Sequence, residues 1–594
     1  MFDAVLIANR GEIAIRVARG CRELGVRTVG VYSEVDRDAP HVDAMDEAHL
    51  LGGAAADSYL AIDKVLDVAR RAGVDAIHPG YGFLSENADF AQAVVDAGLV
   101  FIGPPAAAIA SMGDKLSARA VADAAGVPVV PGTLEPTDDP EVAMTFGDEH
   151  GYPVAVKAMF GGGGRGMKVV RTREEMRDAL AAARRESQAA FGRGECYLER
   201  YLERPRHVEI QVLADLDGTT IHLGERDCSL QRRHQKLVEE APAPGLSPAV
   251  REAMGAASVR VASQVGYTNA GTCEFLLDED GERFYFLEMN TRLQVEHPVT
   301  ELVTGIDLVH AQLRIASGDG MHLTQDQIHL TGHAIEVRIN AEEPALGFIP
   351  TPGPVTSLEG SQGPWVRLDT GVRSGSTIPR EYDSMIGKLI VWGENRDTAR
   401  VRMSRALDEL VLTGLPTTVP FHRLAMVHPQ FAAAEHATIS VETEWDLSSL
   451  TPQDTDADQQ EPTTMNVHAN GLSPTERDVE LTVGGQPVHV TVHGTTRPDD
   501  RTAATSRRQR ARGAGGAGRN HDGADLLAPM QGTIVTVAVE EGDEVSQGDL
   551  ICVLEAMKME NHLVAHRDGR VTDITHAAGD AVERGALLAT ITHA

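Results

Sequence analysis

Glu288-Met289-Asn290-Thr291-Arg292-Leu293-Gln294-Val295-Glu296-His297 is the stretch on which the reading of this 594-residue chain turns. Polar residues fall at 288, 290, 292, 294 and 296, so an extended backbone carries all five on one face. On that face Arg292 is suited to clamp a small planar oxyanion with two parallel N–H donors, and Glu296 to take its proton. Just upstream, residues 272–277 and 283–288 read as strands around Asp278-Glu279-Asp280-Gly281-Glu282. Glu274 and Glu288 are equidistant from Gly281, so a simple hairpin sets them opposite each other, about 4.5–5.5 Å apart at Cβ. Two carboxylates that close need a cation or a shared proton. Magnesium brought by a nucleotide is the economical answer, with Asn290 as a further oxygen ligand.

Further upstream, a strand over 154–159 enters Phe160-Gly161-Gly162-Gly163-Gly164-Arg165-Gly166 and a strand over 167–170 leaves it. A dinucleotide-binding glycine motif opens a helix, and this one opens a strand; nor does Gly-Lys-Ser/Thr follow, so it is not a Walker A loop. A glycine-rich hairpin can still fold over phosphates, because its N–H groups approach oxygens without Cβ interference; a merely flexible hairpin is the alternative. Lys157 at the strand end and Lys115 supply compact cations suited to phosphate, unless they are solvated surface charges. Residues 1–113 alternate strands (4–8, 27–32, 76–78, 100–102) with helices (13–24, 59–72), which predicts a parallel, doubly wound sheet. Gly11 and Gly80-Tyr81-Gly82 follow strands, where such sheets place ligands.

Composition narrows the function. The formal net charge of −33 argues against a nucleic-acid binder, so any anionic substrate must be held by local positive charge. No apolar run approaches the ~18–20 residues that span a bilayer, and the N-terminus reads as a first strand rather than a signal peptide. Cys21, Cys196, Cys228, Cys273 and Cys552 have no C-x-x-C spacing, which supports neither a disulfide framework nor a zinc site and suits a reducing cytoplasm. Cys228 lies beside charged residues, but a buried free thiol is the simpler reading.

Three stretches together resemble the ATP-grasp enzymes, and in detail biotin carboxylase, over residues 1–440: His78-Pro-Gly-Tyr-Gly-Phe-Leu-Ser-Glu-Asn87, Arg226-Asp-Cys-Ser-Leu-Gln-Arg-Arg-His-Gln-Lys236 and Glu288–His297. The resemblance implies that Lys115, Lys157, Gly163, Gly164, Glu199, Arg200, Tyr201, Leu202, His207, Gln231 and His234 surround ATP. Arg200 stands where many relatives have lysine, a contact expected through the backbone. Mg²⁺ or Mn²⁺ falls to Glu274, Glu288 and Asn290. Bicarbonate falls to Lys236, Arg292, Gln294 and Val295, with Glu296 as base. Arg338, in an alternating strand over 333–342, meets the ureido oxygen of biotin, and Tyr81 flanks it. The implied chemistry is attack of bicarbonate on ATP to give carboxyphosphate, which releases CO₂ beside biotin.

Near the C-terminus, Gly532, Gly542, Asp543, Val545, Gly548 and Leu550 recur at a constant offset of 37 residues, as Gly569, Gly579, Asp580, Val582, Gly585 and Leu587. Two copies of one strand-turn-strand unit make a flattened all-β barrel with quasi-twofold symmetry, and Lys558 lies on the hairpin joining them. Ala556-Met557-Lys558-Met559 resembles the biotinyl carrier family; lipoyl domains share the repeat but usually carry Asp-Lys-Ala. The resemblance implies biotin attached covalently to Lys558 by a biotin protein ligase.

The expected fold is thus multidomain α/β: an N-terminal doubly wound domain (1–113), an ATP-grasp domain (114–317), a C-terminal carboxylase domain (331–440), a linker with a short hairpin near 479–492 (441–525) and the all-β carrier (526–594). The expected role is the α subunit of an acyl-CoA carboxylase. It carboxylates its own biotin, and a separate carboxyltransferase β subunit passes the group to acetyl- or propionyl-CoA, giving malonyl- or methylmalonyl-CoA. The alternatives are service to a pyruvate or oxoacid transferase, an ATP-grasp ligase joining a carboxylate to an amine, or a noncatalytic carrier. A homo-oligomer within a larger complex is expected. Arg507, Arg508, Arg510 and Arg512 form a basic run in the linker that either docks a partner or is merely solvated.

Overall fold

The computed structural model of the chain describes residues 1–53, 57–133, 135–158, 167–191, 193–453, 473–483, 486–496, 524–528, 532–556, 559–582 and 585–592. The chain begins with strand β1 (Ala4–Ile7), helix α1 (Gly11–Glu23) and β2 (Arg27–Tyr32), followed by β3 (Glu47–Leu50), β4 (Ala76–His78) and β5 (Val100–Phe101). These five strands form one sheet in the order β3-β2-β1-β4-β5, every pair parallel, so the doubly wound reading holds. The central strand β1 is a continuous buried apolar run because cores lie on both faces of the sheet, as parallel sheets require. The glycines after β1 and β4 shape turns. Gly80 has φ +65, and a Cβ there would lie 2.7 Å from the Asn9 amide. That amide donates to the carbonyls of Pro79 and Tyr81 at 2.7 and 2.8 Å and so fixes the turn that carries Tyr81.

A three-stranded antiparallel sheet, β7 (Lys168–Val170), β6 (Val154–Ala158) and β8 (Cys196–Arg200), forms the glycine-loop hairpin. The loop itself, including Gly163 and Gly164, lies outside the described residues.

The scaffold of the site is an eight-stranded antiparallel sheet. It runs β13 (Phe284–Asn290), β12 (Asn269–Leu277), β9 (Arg206–Ala214), β10 (Thr220–Arg232), β11 (Gln235–Ala241) and β14 (His333–Asn340), then the strands Met385–Gly393 and Val366–Thr370. One sheet therefore joins the segment read as ATP-grasp to the segment read as the C-terminal carboxylase domain, through Glu239 opposite Glu336 on β11 and β14. Beneath β12 and β13, Phe275 meets Phe284 and Phe286 edge-on, with ring centroids 5.5 and 6.0 Å apart. The first and second units also share a core, in which Val5, Ile7, Ile13 and Val17 pack with Leu213, Leu293, Leu308 and Val309.

Residues Ser473–Val483 and Gln486–Thr496 form an isolated two-stranded antiparallel sheet, longer than the hairpin expected from the sequence. Gly484-Gly485, which the sequence suggests as the turn of this hairpin, and the 507–512 basic run lie outside the described residues. The C-terminal unit is two four-stranded sheets, and the repeat is visible strand by strand: Gly532–Val537 and Gly569–Ile574, Glu544–Val545 and Ala581–Val582, Leu550–Ala556 and Leu587–Thr592. Both copies close their turns alike, with the N–H of Glu540 on Asp543 and that of Ala577 on Asp580, each at 2.8 Å. Among the described residues no helix is long and apolar enough to cross a membrane.

Arg226 on β10 locks the large sheet from inside. Fully buried, it donates to Glu209 at 2.5 Å, to Gln211 and Thr300 at 2.8 and 2.9 Å, and to Thr272 at 3.1 Å. Arg226→Met leaves the buried Glu209 carboxylate short of a partner, an effect of about 3–5 kcal/mol. The expected outcome is a marked drop in the guanidinium midpoint of unfolding, followed by far-UV circular dichroism.

Candidate active site

Register across the sheet aligns Glu288, Glu274, Glu209 and Arg226 in one row over β13, β12, β9 and β10. The expected pairing of Glu274 with Glu288 is present, but not by a simple hairpin. Near the turn Leu277 faces Phe284, and an irregularity between Glu274 and Phe275 shifts the register by one to bring the two carboxylates opposite. The extended face expected over 288–296 is only partly formed. β13 ends at Asn290, and Glu296 occupies the N-cap of the helix His297–Thr304. Pro298 in the first helical turn favours starting a helix there. The chain nonetheless brings Arg292 back onto Asn290 Oδ1 and Gln294 Oε1, at 2.8 and 2.9 Å.

The centre of the site is the Lys236 ammonium. It donates to Glu209, Glu274 and Glu296 at 2.6, 2.9 and 2.6 Å, three carboxylates from three separate segments. Burial opposes its charge, but the surrounding acids outweigh burial and hold its pKa well above the ordinary lysine value. Glu296 is fully buried and also accepts from Arg338 at 2.9 Å. Burial alone would raise its pKa; Lys236, Arg338 and Arg226 together hold it well below the usual carboxylate range, so it is ionised at neutral pH. Glu239 takes the other edge of Arg338 at 2.5 Å. Burial dominates there and lifts its carboxyl to about 7. Cys228 Sγ sits 3.8 Å from Glu296, and burial raises its thiol well above the ordinary value, which makes it a buried free thiol as read from the sequence.

On the opposite side, His207 meets Glu274 at 3.0 Å. Burial would raise the Glu274 carboxyl, but Lys236 and His207 outweigh it and hold the group well below the usual carboxylate range. Glu288 is pushed up by burial and by Glu274, with Lys115 and His207 opposing. This donor set fits a divalent cation: one ionised carboxylate faces a second whose ionisation lacks a full counter-charge. Asn290 turns its oxygen to Arg292, and its buried Nδ2 has no hydrogen-bond partner. Glu86, which sequence reasoning did not single out, anchors Arg292 at 2.8 Å and the Thr291 N–H at 3.1 Å.

The nucleotide-side residues are more dispersed. Lys157 and Arg119 both ion-pair with Glu199. Arg200 directs its side chain to Tyr285 and Asp278, and its N–H is donated to the Pro131 carbonyl, so the expected backbone contact cannot use that N–H. The Tyr201 N–H goes likewise to Pro153, and Leu202 is buried with Val130 and Tyr285. Gln231 is buried opposite Lys236 on β11, whereas His234 is exposed in the β10–β11 turn with φ +64. Tyr81 donates its hydroxyl to Glu12, and burial together with the Glu12 carboxylate pushes its phenol well above the ordinary value, with Arg338 opposing. Lys558 and Met557 lie outside the described residues; the strands flanking them pair Ala556 with Met559.

Glu209, Arg226 and Glu239 also escaped the sequence reading. A signal existed for the first, since His207, Glu209 and Gln211 alternate along β9 and share its inner face.

Residues 1–109 match "Biotin carboxylase, N-terminal domain", 114–324 "Carbamoyl-phosphate synthase L chain, ATP binding domain", 336–443 "Biotin carboxylase C-terminal domain" and 524–591 "Biotin-requiring enzyme". The chain is 48% identical over 605 residues to the biotin-dependent acyl-coenzyme A carboxylase alpha3 subunit of Mycobacterium leprae, covering 99% of this chain and 98% of that protein. It is 51% identical over 436 residues to a pyruvate carboxylase subunit of Methanothermobacter thermautotrophicus, covering 73% and 88%. Among solved structures, the biotin carboxylase domain dimer of Hydrogenobacter thermophilus 2-oxoglutarate carboxylase, in complex with MgADP, ADP and bicarbonate, superposes with a TM-score of 0.70 at 46% identity, covering 74% and 97%. The fold and site define an ATP-grasp carboxylase joined to a carrier, and the chain belongs to the family of biotin carboxylase subunits of biotin-dependent carboxylases.

The Glu239 carboxyl titrates near neutrality while Glu296 stays ionised, which separates their pH effects. Below about 7 Glu239 is neutral and Arg338 loses one of its two anionic partners. The kcat/KM for free biotin is therefore expected to fall on the acid side with a midpoint near 7, and Glu239→Gln to remove that limb from the pH–rate profile.

Proposed function

We propose that this chain uses ATP, Mg²⁺ and bicarbonate to carboxylate biotin carried on Lys558 of its own C-terminal unit, and that a separate carboxyltransferase subunit passes the carboxyl group to an acyl-CoA. The observation that carries this reading is the convergence of Lys236 and Arg338 on the ionised Glu296, with Arg292 and Gln294 on the adjoining turn. In it, Glu274 and Glu288 hold the metal of the nucleotide complex, while Lys115 and Lys157 offset phosphate charge. Bicarbonate is received by Arg292, Gln294, the Val295 backbone and Lys236, and Glu296 accepts its proton.

The resting site keeps that base weak, since two cations stabilise its ionised form. When Lys236 and Arg338 turn part of their charge to incoming oxyanions, Glu296 becomes more basic as a proton must move. Biotin supplies the ureido nitrogen that accepts the carboxyl group. Arg338 offsets negative charge developing at the ureido oxygen.

The acyl-CoA acceptor is favoured by the relative that matches along the whole chain, carrier included. Relatives named for pyruvate and 2-oxoglutarate match the carboxylase portion about as well, so that portion does not discriminate between acceptors.

Glu296→Ala and Arg338→Ala are each expected to abolish bicarbonate-dependent biotin carboxylation while mass spectrometry still finds biotin on Lys558. Normal carboxylation by either variant overturns the assigned roles. Avidin capture of the native protein should co-elute a crotonase-like transferase; a barrel-type transferase would move the acceptor to an oxoacid.

A further inference from the structure

Lys388 is completely buried at the point where the three carboxylase segments meet. On the strand Met385–Gly393 it lies between Arg338 on one neighbouring strand and Asp369 on the other. Its ammonium donates to the Val295 carbonyl at 2.6 Å and stands 3.2 Å from Glu12 Oε1. The same Glu12 oxygen accepts the hydroxyl of Tyr81.

Each contact bears on a different part of the reaction. The Val295 carbonyl belongs to the planar peptide unit that ends at the nitrogen of Glu296, so holding that oxygen fixes the backbone of the base. A charge-assisted bond of 2.6 Å is a strong restraint of this kind. Glu12 opens α1 beside Gly11, and a Cβ on Gly371 would lie 2.7 Å from both the Glu12 nitrogen and Gly11 Cα. The C-terminal segment is thus pressed against the start of α1, which leaves Glu12 little room to shift. Tyr81 is oriented in turn through its hydroxyl.

We propose that Lys388 is a positioning residue that ties the turn receiving bicarbonate, through the Val295 carbonyl, to the Tyr81 wall facing biotin, through Glu12. This rests on the proposed carboxylase reading. The competing role is charge balance alone: Lys388 also neighbours Asp369 and Glu336, and both Glu336 oxygens are buried without hydrogen-bond partners. Balance alone affects stability and all substrates together. Positioning separates them.

The test measures bicarbonate-dependent ATP hydrolysis and carboxylation of free biotin by the full chain, alongside thermal unfolding. Lys388→Met is expected to raise the KM for bicarbonate tenfold or more with the KM for ATP within twofold of the parent. Lys388→Arg, which keeps donors, should recover most of that loss. Glu12→Gln leaves the bond to Val295 in place, and is expected to raise the KM for biotin several-fold with the KM for bicarbonate within twofold. Unchanged constants in Lys388→Met, or a uniform loss for all three substrates that tracks a lowered Tm, overturn the proposal. If Lys388→Met does not fold, Glu12→Gln decides: a selective biotin effect supports the tie, and none refutes it. An unmodified protein without bicarbonate-dependent ATP hydrolysis instead refutes the carboxylase reading itself.

Discussion

The contact of Lys236 with Glu209, Glu274 and Glu296 is the constraint on which the site depends. Three buried carboxylates within reach of one another would repel, and each would be expensive to ionise. One ammonium at their centre makes the arrangement tolerable, with Arg226 and Arg338 reinforcing it from either side. Because the acids come from β9, β12 and the start of a helix, the cluster exists only when these segments are in register. Its energetic cost is bound to the same geometry that makes it useful, since a cation shared among carboxylates can be drawn toward another anion.

The large sheet explains how residues so distant in sequence stay in place. β11 and β14 join what the sequence divides into two domains, so Glu239 and Arg338 meet diagonally across neighbouring strands rather than across a hinge. The N-terminal unit contributes Glu86 to Arg292 and Tyr81 to the neighbourhood of Arg338. The carrier is built on different logic. Its two copies of one unit close on each other through shared turn chemistry, and the function proposed for it resides in a two-residue connection between strands.

Much of the site was legible because side-chain period and turn symmetry are local. The 37-residue repeat, the alternation through β14 and the Glu274–Glu288 pairing all follow from such rules. The pairing, however, depended on an irregularity that restored a register the turn alone would have missed. The extended run over 288–296 failed past Asn290, where a helix start at Glu296 overrode the alternation. Arg200 stands where many relatives have lysine, and its side chain and N–H are both engaged within the protein.

The sequence by itself determined the class of each segment, the carrier's repeat and the identity of most charged groups near the chemistry, because these rest on periodicity and on motifs short enough to be read along the chain. Only the tertiary structure decided how those charges are shared: that Lys236 serves three acids, that Glu239 rather than Glu296 titrates near neutrality, and that Lys388 reaches both Val295 and Glu12. The physical reason is that burial and distance set the ionisation of each group, and neither exists until strands far apart in sequence lie side by side.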